Sequence, residues 1–152
     1  MRTNLTCVAA VAACLIAGLS IVGNQAPSVV HADTKSRDAT SFTGAYGYSL
    51  SGYVYDNQGN SYYLGAAGRM VADGSGNISG GDTFSFDGSV GKRTYTGTYT
   101  INSDCTGALV FTTSGNNTTH ADLVLVNNGK EVNLVQTDSG YILTGILKQQ
   151  VQ

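Results

Sequence analysis

The side chains able to do acid–base or covalent chemistry are few and scattered along the chain. His120 and Asp122 stand two apart, which on a strand puts both on one face and makes them a candidate acid–base pair. That face turns outward in the register derived below, where a histidine beside an acid is ordinary surface. Cys105 follows Asp104, whose negative charge disfavours the thiolate, so it is not an activated nucleophile. Ser75 lies in Gly74-Ser75-Gly76, which lacks both the G-x-S-x-G spacing and the strand-to-helix elbow of a hydrolase. Asp73, Ser75 and Asn77 alternate like calcium-loop ligands, but Phe84 stands where the bidentate Glu belongs. Turn chemistry accounts for all three. Asn77-Ile78-Ser79, Asn116-Asn117-Thr118 and Asn117-Thr118-Thr119 match the glycosylation acceptor pattern, which matters only in a host that uses it. No catalytic residue, metal ligand or cofactor is expected from these groups.

The nine tyrosines carry more information. Tyr46 and Tyr48 share a strand face, as do Tyr53 with Tyr55 and Tyr95 with Tyr99. Inward tyrosines make an apolar wall bearing hydroxyls, which suits a small apolar or amphipathic ligand. A core packed with Tyr, in a chain without Trp and with four Phe, is the alternative. The expected ligand-contacting residues are Tyr46, Tyr48, Tyr95, Tyr99 and Gln136.

These residues need a scaffold, and its punctuation is legible. From Phe42 onward no apolar pattern at helical spacing persists. Runs rich in Tyr, Thr, Val and Ile are cut by short clusters of Asp, Asn, Ser and Gly. The cuts fall at Asp56–Asn60, Asp73–Gly76, Asp87–Ser89, Asn102–Asp104, Ser114–Asn117, Asn128-Gly129 and Ser139-Gly140. They define an all-β, eight-stranded, antiparallel up-and-down meander. A closed barrel is preferred over a sandwich of two sheets because closure removes both open edges.

A type I′ turn at Asn128-Gly129 would put Leu125 opposite Val132, Leu123 opposite Leu134 and Ala121 opposite Gln136. Continuing through Ser139-Gly140 adds Leu143, Gly145 and Leu147 to that apolar face. The other face then carries Val124, Val126, Val135 and Ile146 beside His120, Asp122, Asn133 and Thr144. It is too apolar to be fully wet, so a second subunit or the N-terminal segment is expected to cover part of it. In Arg93–Ile101, Thr alternates with Tyr, Gly and Ile, as for Thr outward and aromatics inward. The small side chains of Leu64–Gly68 mark either a corner needed for closure, the favoured reading, or room for a ligand.

The first thirty-odd residues differ in kind. One cation, Arg2, precedes an apolar run from Leu5 to Val22, and Val30-His31-Ala32 supplies small residues for cleavage. Residues 1–32 read as a secretory signal peptide, 33–41 as a flexible polar leader and 42–148 as the barrel domain. Val11-Ala12-Ala13-Cys14 has the shape of a lipobox, but the apolar run continues past it, against lipid anchoring at Cys14. Cleavage removes Cys7, Cys14 and Pro27, leaving Cys105 without a disulfide partner. The expected location is periplasmic or extracellular, with no stable membrane insertion after cleavage. Charged residues make up only 12% of the chain and the net charge is −2, so there is no basic footprint for nucleic acid.

The segments Thr43–Gly52, Ala72–Gly80, Tyr95–Gly107 and Asn127–Glu131, followed by Gln136-Thr137-Asp138, resemble an uncharacterised family of small secreted bacterial Gly/Thr/Tyr-rich proteins. The resemblance implies a barrel similar to those of lipocalins and allene oxide cyclase-like proteins. The lipocalin G-x-W signature is absent, since the chain has no Trp, and no catalytic residue carries over. The first functional expectation is an exported, non-enzymatic barrel that binds a small ligand. The second is a structural envelope or surface protein assembling through its apolar outer stripe. The third is an allene oxide cyclase-like isomerase, which would need a polar group such as Gln136 or Arg69 inside the cavity.

Overall fold

A computed structural model describes residues 38–151. The predicted signal peptide, the cut after Ala32 and Cys14 lie outside the described residues. Eight strands follow one another: β1 Thr43–Tyr55, β2 Ser61–Asp73, β3 Asn77–Phe86, β4 Ser89–Ile101, β5 Thr106–Thr113, β6 Thr118–Val126, β7 Glu131–Gln136 and β8 Tyr141–Gln149. Each pairs antiparallel with the next, and β8 returns to β1, so the sheet is a closed barrel in meander order.

Every turn falls where Gly, Asn and Asp cluster in the sequence, because these turns need positive φ. Asp87, Cys105, Asn116, Asn127 and Asn128 all have φ between 47° and 71°. Asn128 and Gly129 form the centre of the β6–β7 connection, closed by the Lys130 N–H donating to the Asn127 carbonyl. Leu125 faces Val132, Leu123 faces Leu134 and Ala121 faces Gln136, and across β8 Val132 faces Leu147. The apolar face is the buried one: Ala121, Leu123, Leu125, Val132, Leu143 and Leu147 are all core.

A narrow barrel cannot take a large side chain at every inward position, and here large faces small across neighbouring strands. Phe84 is opposite Gly91, Tyr95 opposite Gly80 and Phe111 opposite Gly97. A Cβ added at Gly80 would stand 2.5 Å from the Tyr95 hydroxyl, and one at Gly91 2.6 Å from the Phe84 ring. The aromatics lie over bare backbone, and the barrel fills.

One end is plugged. Ala39–Ser41 forms a 3₁₀ turn capped by the Asp38 carboxylate, and Phe42 behind it is fully buried. The Phe42 ring packs against Tyr46 and Tyr99 at centroid distances of 4.8 and 4.9 Å. This corrects the leader boundary: residues 38–41 are structured, because Asp38 supplies the cap that polar composition alone read as loose chain. β8 also runs to Gln149, one residue past the expected end, held by the Gln149 N–H donating to the Lys130 carbonyl.

Candidate functional site

At the opposite end the β3–β4 hairpin builds a polar cluster inside the barrel. Its turn, Asp87-Gly88, places Phe86 against Ser89, and the same register brings Asp82 opposite Arg93. Both are on inward positions. Arg93 Nε donates to Asp82 Oδ1 at 2.9 Å and Nη2 to Oδ2 at 3.0 Å, a bidentate pair. The Tyr48 hydroxyl donates to Oδ2 at 2.9 Å. The Asp82 side chain is 1% exposed and that of Arg93 23%, so the acid is sealed while the base still meets solvent. The guanidinium carbon lies 5.1 Å from the Phe84 ring centroid, a cation–π contact.

Gly68 makes this approach feasible. It lies between Tyr48 and Asp82, and a Cβ on it would come within 2.6 Å of the Asp82 Cβ. Within Leu64–Gly68, the bare backbone of Gly68 thus admits the neighbouring strand.

Burial, then the Tyr95 hydroxyl and the Asp82 carboxylate, hold the Tyr48 phenol far above its usual value. Burial likewise pushes Tyr95 up to about 12. Both phenols are therefore protonated donors near neutral pH. Both oxygens of Asp82 accept hydrogen bonds, Oδ1 from Arg93 and Oδ2 from Arg93 and Tyr48.

Beneath this cluster Tyr48, Asp82, Arg93, Tyr95 and Gln136, together with apolar side chains such as Met70, Leu109, Phe111 and Leu134, wall a largely apolar cavity of only about 30 Å³. One water occupies roughly that share of the liquid. Above it the barrel opens into a mouth of about 510 Å³. Val54, Leu64, Phe84, Phe86 and Tyr141 form an apolar arc, and Lys92, Arg93, Thr113, Ser114 and Asn117 a polar one. Arg93 lines both spaces.

No protein-family model matches this chain, and no curated protein does. Among solved structures it is similar to a de novo designed fluorescence-activating β-barrel, with a TM-score of 0.49 and 14% identity over 74% of this chain and 96% of that one. The structure of EF1p2_mFAP2b bound to DFHBI gives a TM-score of 0.48 at the same identity and coverage.

The five residues expected to touch a ligand divide into two groups. Tyr48, Tyr95 and Gln136 line the small cavity. Tyr46 and Tyr99 sit at the plugged end, where the Tyr46 hydroxyl donates to the Gly129 carbonyl at 2.7 Å and that of Tyr99 to the Phe42 carbonyl at 2.6 Å. Those two hold the plug. Gln136 Nε2 donates to Asp138 Oδ2 at 2.9 Å, tying it to the rim. His120 does not pair with Asp122; its Nδ1 meets Asp138 Oδ1 at 2.7 Å on the outer surface. Arg69 is exposed and bonds Gln150. Asp73 Oδ1 accepts the N–H groups of Ser75 and Asn77, so the calcium-like triplet is a turn. No group of metal-ligating side chains occurs among the described residues.

Sequence reasoning missed Asp82 and Arg93. The signal was present: Arg93 shares its strand face with Tyr95 and Tyr99, and an Asp87-Gly88 turn sets Asp82 against it.

Proposed function

We propose that this chain is an exported, non-enzymatic β-barrel that takes a small amphipathic molecule into its open end. The observation that carries this reading is the mouth, whose volume lies within the range of small-molecule sites and whose wall joins an aromatic arc to a polar one. The inner cavity is too small for anything larger than water, so the ligand sits in the mouth and rests on the Tyr48–Asp82–Arg93 cluster. Export rests on the order of charge, apolar run and small residues in positions 1–32, as in the secreted proteins the chain resembles.

The test is binding of N-phenyl-1-naphthylamine, a neutral fluorescent probe, to the full chain and to Val54→Trp, which fills the mouth from β1. Saturable binding in the parent chain and its loss in V54W are expected. Equal binding to both overturns the reading.

One observation favours a second reading, assembly through the outer surface. Val110, Val124, Val126, Val135, Ile142 and Ile146 are exposed on consecutive strands β5–β8. In that case the native mass is a multiple of the chain mass.

A further inference from the structure

We infer that the molecule taken by the mouth is a monoanion with a flat apolar body, its charged head against Lys92 and Arg93 and its body along Phe84 and Phe86. The inference rests on the mouth being the binding site and deepens that reading.

Charge and its placement point to an anion. Lys92 and Arg93 are the charged residues that line the mouth, and no carboxylate lines it with them. Asp82 lies behind Arg93 in the inner cavity, with both oxygens already accepting from Arg93 and Tyr48. That pair is neutral as a unit, which leaves the mouth one positive charge from Lys92.

Arg93 still has donors to offer. A guanidinium carries five N–H groups, and Asp82 takes one on Nε and one on Nη2. The rest belong to a side chain that lines the mouth and keeps part of its surface in solvent. Its orientation is fixed by the bidentate pair and the Phe84 ring, so little freedom remains to be lost on binding.

The other acids at this end lie outside the mouth. Asp56 accepts from Gln58, Asn60 and Tyr62, and Asp138 from His120 and Gln136. Asp87 lies in the β3–β4 turn and, like them, does not line the mouth.

The polar and apolar residues are also segregated. The polar arc belongs to β4, β5 and the turn after β5, the apolar arc to β1, β2, β3 and β8. A molecule that satisfies both carries its charge at one edge.

Two probes with one skeleton test this: 8-anilinonaphthalene-1-sulfonate, an anion, and N-phenyl-1-naphthylamine, its neutral counterpart. Fluorescence titrations use the full chain, V54W, Lys92→Gln and the double variant Asp82→Asn/Arg93→Gln, with folding checked by circular dichroism. The anion is expected to bind about tenfold more tightly than the neutral probe, as for one charge-assisted contact. K92Q, at an exposed position on the rim of the mouth, is expected to lower anion affinity about threefold and to narrow the preference for the anion over the neutral probe. D82N/R93Q removes the remaining preference. If V54W weakens the neutral probe but both probes bind alike in the parent chain, or K92Q and D82N/R93Q keep its preference, the anion inference fails and the mouth survives. If V54W leaves both probes untouched, the mouth itself is refuted.

Discussion

Arg93 stands on its strand between the exposed Lys92 and Thr94, and its position on the inward face brings it to the buried Asp82. An arginine there needs an acid, and the hairpin delivers Asp82. Removing Arg93 leaves the Asp82 carboxylate buried without its counter-charge. Arg93→Gln is therefore expected to cost about 3 kcal/mol in urea unfolding, as for breaking a buried ion pair. The double variant D82N/R93Q leaves no orphan charge and is expected to cost less than R93Q alone. The tyrosines show why side-chain roles were only half legible. Their alternation identified which point inward, but Tyr46 and Tyr48 share a face and do different work. One reaches the Gly129 carbonyl at the plug and the other Asp82 near the mouth. That difference lies in distance along the barrel axis, to which a period of two residues is blind.

At the scale of elements, the turns are where sequence and structure agree most closely, because each depends on a few adjacent residues. The β1–β2 and β2–β3 turns use one device twice. Asp56 accepts from the Asn60 side chain and backbone, and Asp73 does the same for Asn77. The Asn side chains hold both carboxyls below the ordinary 3.8, and the Thr106 hydroxyl does so for Asp104. At Asp138 burial pushes upward, but hydrogen bonds from His120 and Gln136 outweigh it. The folded values lie under the unfolded ones, so this stability is present above about pH 4 and is lost as pH falls through them. The urea midpoint is expected to drop between pH 5 and 2, and Asp73→Asn to shallow that drop. Glycines separate conformation from space. Gly88 and Gly129 have φ of 88° and 80°, but a Cβ on Gly88 meets nothing, whereas one on Gly129 would lie 2.1 Å from the Ser41 carbonyl oxygen. Gly88→Ala is expected to cost about 1 kcal/mol and Gly129→Ala clearly more, read as a difference in melting temperature. Only the first penalty can be foreseen from sequence, since the second depends on a plug read as loose leader.

For the molecule as a whole, the meander and its closure were legible because short connections dictate sequential pairing. The plug was not, since its few residues carry no periodicity. Phe42→Ala would empty the space between Tyr46 and Tyr99, and its expected cost is about 3–5 kcal/mol by chemical denaturation. Charges on the outer stripe should behave in the opposite way. Val124 and Ile146 flank Asn133 and are exposed, so V124K/I146K is expected to change stability by less than about 1 kcal/mol. The same variant dissolves any assembly built on that face, as measured by native mass spectrometry.

The β1–β8 seam has a consequence in time. Strands β2 to β7 pair only with strands made just before or just after them, whereas one side of β1 waits for the last strand of all. At roughly 5–20 residues per second of synthesis, Thr43–Tyr55 spends on the order of ten seconds with one side unpaired. During that interval the chain carries an open strand edge that the finished barrel never shows. Such an edge is a template for pairing with another chain, so aggregation should be decided before β8 is made rather than by the stability of the closed molecule.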